Sequence, residues 1–105
     1  MAEAGKYNRA FPRRTVLFKG ALRVNSHQFP CSVLDLSLSG ARIKLDLPLA
    51  SDTEVELTIQ DHKPLKAQVA WAAEGFLGLM FKASPETVKV SLGTVGERLP
   101  NADQE

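Results

Sequence analysis

Hydrophobic and polar residues alternate with a period of two along most of the chain after Thr15. In the first run, for example, Val16 and Phe18 fall on the face opposite Lys19. This alternation is typical of β-strands that turn one face to a core and the other to solvent. It predicts six short strands, over residues 15–24, 29–33, 41–45, 55–59, 65–71 and 76–81. Trp71 continues the apolar face of the fifth strand after Leu65, Ala67 and Val69.

Short polar segments separate these runs and predict tight connections, over residues 25–28, 35–40, 61–64 and 74–75. Parallel strands would need long crossover connections, which the chain lacks, so the strands are expected to pair antiparallel. The sequence therefore predicts a mainly β fold, with six antiparallel strands in a barrel or sandwich.

The C-terminal segment has the period of a helix instead. Ser84-Pro85-Glu86 is a typical helix start, with a side-chain cap, a proline in the first turn and an acid near the positive end of the dipole. An apolar stripe follows at spacings of four, three and four, through Val88, Leu92, Val95 and Leu99. We expect one α-helix that packs against the barrel and ends before Pro100, although Gly93 and Gly96 weaken it.

Length and composition indicate one ordinary globular domain, because the chain has 105 residues of which 44% are hydrophobic and 24% charged. Cys31 is the one cysteine, the N-terminus lacks the apolar run of a signal peptide, and no apolar run is long enough to span a membrane. We therefore expect a cytoplasmic protein with a reduced thiol.

Charge is distributed unevenly along the chain. Residues 1–25 carry six basic residues against one acidic residue, a formal charge of +5, and the remainder carries −4. This polarity favours an anionic partner near the N-terminus, although such a charge block is often only solvated. We expect a flexible basic arm over residues 1–14, a barrel and helix over 15–99, and a frayed tail over 100–105.

Residues suited to catalysis or metal binding are scarce. The two histidines, His27 and His62, fall in predicted turns, and Cys31 lies among apolar neighbours. Neither zinc-ligand spacing nor a glycine-rich phosphate loop occurs. The sequence therefore predicts a protein without enzymatic activity, bound metal or cofactor.

Two segments carry candidate binding chemistry. Arg9-Ala10-Phe11-Pro12-Arg13 places two guanidinium groups four residues apart in a segment that Pro12 keeps from being helical, and arginine binds phosphate or the guanine edge bidentately. Asp35-Leu36-Ser37-Leu38-Ser39-Gly40 offers a carboxylate that can accept guanine N–H groups, a hydroxyl, and a glycine that permits close approach. Alone, each segment could also be a solvated tail or an ordinary strand connector.

Together, Arg-x-x-x-Arg before the first strand and Asp-x-Ser-x-x-Gly between the second and third resemble the PilZ domain family of bacterial cyclic di-GMP receptors, over residues 7–99. Val69-Ala70-Trp71 and Gly78-Leu79-Met80-Phe81 add to the resemblance. The resemblance implies a six-stranded antiparallel barrel with a C-terminal helix. It implies ligand contacts from Arg9, Arg13, Asp35, Ser37 and Gly40, with Arg14, Arg42 and Trp71 as further candidates.

The function expected from this resemblance is a non-catalytic cyclic di-GMP receptor that orders its N-terminal arm and regulates an unidentified protein effector. Motility, exopolysaccharide production or biofilm formation are the outputs that the family implies. Two alternatives stay open. One is a small barrel that binds single-stranded nucleic acid, which the acidic body and the apolar placement of the aromatic residues disfavour. The other is a degenerate family member that serves only as a docking module.

Overall fold

The computed structural model describes residues 14–99. The predicted tail over residues 100–105 and the predicted arm, except Arg14, lie outside these described residues. Six strands are followed by two short helices: β1 (Arg14–Val24), β2 (His27–Leu36), β3 (Gly40–Lys44), β4 (Glu54–Ile59), β5 (Leu65–Ala73), β6 (Phe76–Phe81), α1 (Pro85–Ser91) and α2 (Gly93–Glu97).

The strands close into a barrel in the order β1-β2-β3-β6-β5-β4, and every neighbouring pair is antiparallel. Tight hairpins make this pairing possible. Glu74 and Gly75, with φ of 51° and 85°, form the turn between β5 and β6, where positive φ matches the twist of the flanking strands. The predicted fold class, a six-stranded antiparallel barrel, is confirmed.

Two connections are shorter than predicted: Asp35 and Leu36 belong to β2 and Gly40 to β3, which leaves residues 37–39 between these two strands. Only Asn25 and Ser26 form the turn between β1 and β2, and Asn25 has a φ of 58°. His27 and Gln28, expected in the turn, are the first residues of β2 and pair with Val24 and Arg23. Asparagine tolerates the left-handed conformation, so two residues suffice to reverse the chain.

The barrel interior is one hydrophobic core, to which every strand and the helical segment contribute. Its largest fully buried side chains are Leu22, Val33, Leu36, Leu38, Ile43, Leu57, Ile59, Val69, Leu77, Val88 and Leu92. The connector between β2 and β3 was expected to be polar, yet Leu38 is buried in the core. The connector is therefore packed against the barrel rather than exposed as a loop.

The C-terminal segment forms two helices rather than the single one predicted. Ser84 caps α1 as expected, because its Oγ accepts from the N–H of Thr87 at 3.2 Å. The helix then ends at Ser91 with Leu92 as its C-cap, and Gly93, the first residue of α2, adopts a left-handed φ of 58°. The predicted stripe still faces the core, since Val88, Leu92 and Leu99 are buried. Glycine thus breaks the helix without removing its apolar face from the barrel.

Neither helix in the described part of the chain is long and apolar enough to span a membrane.

Candidate ligand-binding site

The connector between β2 and β3 is a tight turn built around Ser37. This residue is 2% exposed, and its Oγ accepts from the N–H groups of Ser39 and Gly40, both at 3.1 Å. Its own N–H donates to the Gly40 carbonyl at 2.9 Å. A Cβ at Gly40 would collide with the carbonyl oxygen of Leu79, so only glycine lets β3 approach β6 this closely. Ser37 and Gly40 therefore fix the shape of the connector.

Asp35 is the penultimate residue of β2, just before this connector, and is paired with Arg42 on β3. Arg42 donates from Nε to Oδ2 of Asp35 at 2.6 Å. The carboxylate side chain is 16% exposed and that of the arginine 36%, so the pair is partly shielded from water. The ion pair therefore fixes both side chains at the surface of the barrel.

Asp35 and Arg42 belong to a row of outward-facing residues that runs around the barrel, with one residue on each of five strands. The direct cross-strand partners are Thr15 with Asp35, Asp35 with Arg42, Arg42 with Gly78, and Gly78 with Trp71. Directly opposed residues of antiparallel strands point to the same face. The row therefore crosses β1, β2, β3, β6 and β5 in turn, and we call it the outer row.

Trp71 reaches the outer row because β5 is irregular. The register shifts between Val69 and Trp71, so that Val69 lies in the core and Trp71 does not continue its face. The indole instead lies against Gly78, where a Cβ would collide with Nε1 and Cε2 of the ring. The period-two prediction that Trp71 shares the buried face of Leu65, Ala67 and Val69 is wrong.

The other candidate residues are distributed as follows. Arg14 is exposed at the start of β1 and pairs with Leu36, next to the connector. Arg9 and Arg13 lie outside the described residues. Of the candidates that the structure describes, Asp35, Arg42 and Trp71 share the outer row, while Ser37 and Gly40 form the turn behind it.

Phe76 and Gly78 were not among the binding residues predicted from the sequence, although Gly78 belongs to a segment that carries the family resemblance. Arg42 places its guanidinium carbon 5.4 Å from the centre of the Phe76 ring. This cation–π contact and the ion pair with Asp35 together fix the position of the arginine side chain. The signal was present in the alternation of β6, where Phe76 and Gly78 occupy the face opposite Leu77 and Leu79. An aromatic residue and a glycine on the outward face of a strand indicate a role other than packing in the core.

Groups suited to catalysis lie elsewhere. His62 has its Nδ1 2.9 Å from the carbonyl oxygen of Ile59, and burial raises the pKa of the Cys31 thiol to about 11. Over residues 14–99, no three His, Cys, Asp or Glu side chains are grouped so as to hold a metal ion. The outer row does offer an anionic acceptor paired with a guanidinium and, further round the closed barrel on β5, a half-buried aromatic ring.

Comparison with known proteins gives one family and several similar folds. The family model described as the PilZ domain matches residues 7–94. No curated protein sequence matches the chain significantly.

Three solved structures of similar fold each share less than 25% sequence identity with this chain. The PilZ domain of CeSA from a cellulose-synthesizing bacterium has a TM-score of 0.64 at 21% identity, covering 78% of this chain and 96% of that one. The PlzA protein of Borreliella burgdorferi in complex with c-di-GMP has a TM-score of 0.63 at 18% identity, covering 86% of this chain and 42% of that one. An uncharacterised Legionella protein, Lpg0364, has a TM-score of 0.52 at 19% identity, covering 78% and 88%.

Proposed function

The chain belongs to the PilZ domain family, and from this premise we propose that it is a non-catalytic receptor for cyclic di-GMP. A protein of similar fold, PlzA, has been crystallised with that ligand. The proposed binding residues are Arg9, Arg13, Asp35, Ser37 and Gly40, with Arg14, Arg42 and Trp71 adding contacts.

The observation that carries this proposal is the pairing of Thr15 with Asp35. The two candidate segments are some twenty residues apart in sequence, yet β1 begins directly beside the connector. Arg13 is covalently attached to Arg14, and Arg9 lies five residues before Arg14, so both can reach the connector over at most about 18 Å of extended chain. One small ligand can thus meet both segments.

The proposed role of each binding residue follows from the chemistry of its side chain. Guanidinium groups of Arg9 and Arg13 bind the ligand phosphates through bidentate, charge-assisted hydrogen bonds. Asp35 accepts from the N1–H and N2–H of a guanine, because one of its oxygens is held by Arg42 while the carboxylate retains further lone pairs. Ser37 and Gly40 contribute mainly by holding the connector that presents Asp35.

We further propose that binding is converted into a signal by the N-terminal segment. Two phosphates between Arg9, Arg13 and the connector neutralise the charge of these two arginines and tie the N-terminal segment to the barrel. The ordered segment then covers or exposes a surface that a protein effector recognises, and the output would be motility, exopolysaccharide production or biofilm formation.

A calorimetric titration tests the receptor proposal and its nucleic-acid alternative together. We expect saturable binding of cyclic di-GMP, with weaker or no binding of GMP and of a short single-stranded oligonucleotide. Tighter binding of the oligonucleotide would favour the nucleic-acid alternative. Absence of binding by every ligand at high micromolar concentration would favour the docking module.

A further inference from the structure

Lys19, Ser32 and Lys44 lie side by side on the outer face of the barrel. Ser32 of β2 is the direct cross-strand partner of Lys19 on β1 and of Lys44 on β3. Directly opposed residues of antiparallel strands point to the same face. Because the next residue, Val33, is fully buried in the core, Ser32 points outward with a lysine on either side. We call these three residues the lysine row.

The two ammonium groups of the lysine row have no counter-ion among residues 14–99. Neither lysine forms an ion pair with a described residue, whereas Lys82, for comparison, donates to Glu54 at 2.8 Å. Asp46 is exposed beside the lysine row but is ion-paired with neither of its ammonium groups. Two such charges on one strand face favour the binding of an anion.

A hydroxyl group lies between the two lysines. Ser32 is half-buried, and its Oγ forms no hydrogen bond with any residue in the described part of the chain. The hydroxyl of Ser37, by contrast, is bonded within its own connector. All three residues of the lysine row line one open groove, which therefore presents two ammonium groups and a hydroxyl as donors.

The spacing of the lysine row fits one tetrahedral anion. Lys19 and Lys44 are two strand spacings apart, about 10 Å between their Cα atoms at about 4.8 Å each. Lysine carries its charge on a flexible four-carbon stem, so both ammonium groups can close over Ser32. A phosphate monoester has three terminal oxygens and close to two negative charges at neutral pH, which match the donors and charges of the row. A phosphodiester has fewer free oxygens and a single charge.

We propose that the lysine row is a binding site for the phosphate monoester group of a second ligand. This inference goes beyond the proposed function and does not depend on it. The row is separate from the connector site, because Lys44 lies two residues beyond Arg42, about 7 Å along β3, and Ser32 lies three residues before Asp35 on β2. Cyclic di-GMP carries only phosphodiester groups, so the two sites differ in the class of ligand they take.

The phosphate group can belong to a soluble molecule or to a lipid headgroup, and Leu17 distinguishes these two sources. Leu17 is 76% exposed and lies two residues before Lys19, on the outer side of β1. A lipid headgroup brings apolar chains to this side chain, whereas a soluble phosphate does not. Leu17→Ser should therefore weaken binding to vesicles without changing the binding of a soluble phosphate.

A nuclear magnetic resonance titration at fixed ionic strength tests the site directly. Methyl phosphate is the probe, and dimethyl phosphate is the phosphodiester control. Methyl phosphate should shift the amide signals of residues 19, 32 and 44 along one saturable curve, with weaker binding of dimethyl phosphate. Equal affinity for the two probes would overturn the inference.

Variants of the lysine row test its residues. Lys19→Gln and Lys44→Gln should each weaken methyl phosphate binding by about tenfold, and Ser32→Ala by about fivefold, since a hydrogen bond to a neutral group contributes less than one to a charged group. Lys66→Gln is the matched control, because Lys66 is an exposed lysine on β5, opposite Glu56. It should change the affinity little. Equal losses from all three lysine variants would indicate nonspecific attraction and overturn the site.

Sedimentation with vesicles identifies the source of the phosphate group. Vesicles of phosphatidylcholine with phosphatidic acid, a monoester, are compared with vesicles in which phosphatidylglycerol, a diester, supplies the same charge. Preference for phosphatidic acid that is lost in Leu17→Ser and in Lys19→Gln supports the site with a lipid ligand. Methyl phosphate binding without that preference supports it with a soluble ligand. Absence of both would overturn the inference.

Calorimetry with cyclic di-GMP separates this inference from the proposed function. The double variant with Lys19→Gln and Lys44→Gln should bind cyclic di-GMP as tightly as the wild-type protein does. Loss of that binding would make the lysine row part of the nucleotide site and overturn its independence. If the wild-type protein binds methyl phosphate but not cyclic di-GMP, the proposed function is refuted and the lysine row is supported.

Discussion

Nε of Arg42 donates to Oδ2 of Asp35 over 2.6 Å, although the two residues lie on different strands with the connector between them. The pair closes the base of that connector. It also fixes the partly shielded carboxylate of Asp35 directly opposite Thr15, the second residue of β1. The segment that carries Arg9 and Arg13 immediately precedes this strand. Ligand recognition by this protein is therefore expected to depend on Asp35 more than on any other acidic residue.

Replacing Asp35 by alanine should weaken cyclic di-GMP binding by at least about tenfold, because hydrogen bonds to a charged group contribute about 1.5–3 kcal/mol. Asp61→Ala, an exposed residue in the turn between β4 and β5, serves as the control of equal charge change. Calorimetry should separate the two variants. Equal affinities for both would remove Asp35 from the site.

Arg9→Ala and Arg13→Ala should each cost about 2–5 kcal/mol of binding free energy, since each removes a charge-assisted contact to phosphate. Arg23→Ala removes the same charge from the exposed face of β1, opposite Glu56 on β4, and should change affinity little. The comparison is made by titration at one fixed ionic strength. A similar loss in all three variants would indicate nonspecific attraction and refute the assignment of the two arginines.

The strands could be predicted from the sequence because period-two alternation reports directly on which residues face a core. Leu57 and Ile59 of β4, for instance, are both buried as their pattern requires. Antiparallel pairing followed from the short connections for the four consecutive strand pairs, whereas the β1–β4 and β3–β6 pairs depend on closure of the barrel. The helical segment was predicted less well, because spacing identifies an apolar face but does not reveal that Gly93 breaks the helix between two parts of it.

Candidate residues for the site could be named from the sequence, but their arrangement could not be predicted. Alternation cannot locate a bulge, and the one before Trp71 reverses the face of every residue that follows it on β5. Sequence spacing likewise gave no sign that Asp35 and Arg42 would be bonded to each other. Such contacts depend on strand register, which only the closed barrel defines.

Ser37→Ala should destabilise the fold, whatever its effect on ligand. Two backbone N–H groups in the connector would lose their acceptor, and an unsatisfied buried donor costs about 1–3 kcal/mol. We expect the melting temperature to fall by roughly 4–8 °C per kcal/mol, as measured by circular dichroism. Ser26→Ala, in the exposed turn between β1 and β2, should leave it nearly unchanged. Identical melting temperatures for the two variants would contradict the structural role of Ser37.

The Cys31 thiol should resist alkylation because burial raises its pKa from 9.0 to about 11. At pH 9 we expect iodoacetamide to react at least about tenfold more slowly with the folded protein than with a free cysteine peptide, since the thiolate is the nucleophile. Between pH 9 and 11 the folded state keeps a proton that the unfolded state loses, so this group's contribution to stability declines as pH rises. Equal alkylation rates would contradict the burial of the thiol.

Amide hydrogen exchange with and without cyclic di-GMP is the measurement that tests the central claim most directly, because it locates the ligand as well as detecting it. If one ligand joins the two segments, saturating cyclic di-GMP should raise protection in residues 7–14 and 35–41. Protection of the β4 strand, Glu54–Ile59, should change little and serves as the internal control. Bound ligand that leaves either segment unprotected, or that protects β4 equally, would contradict the account.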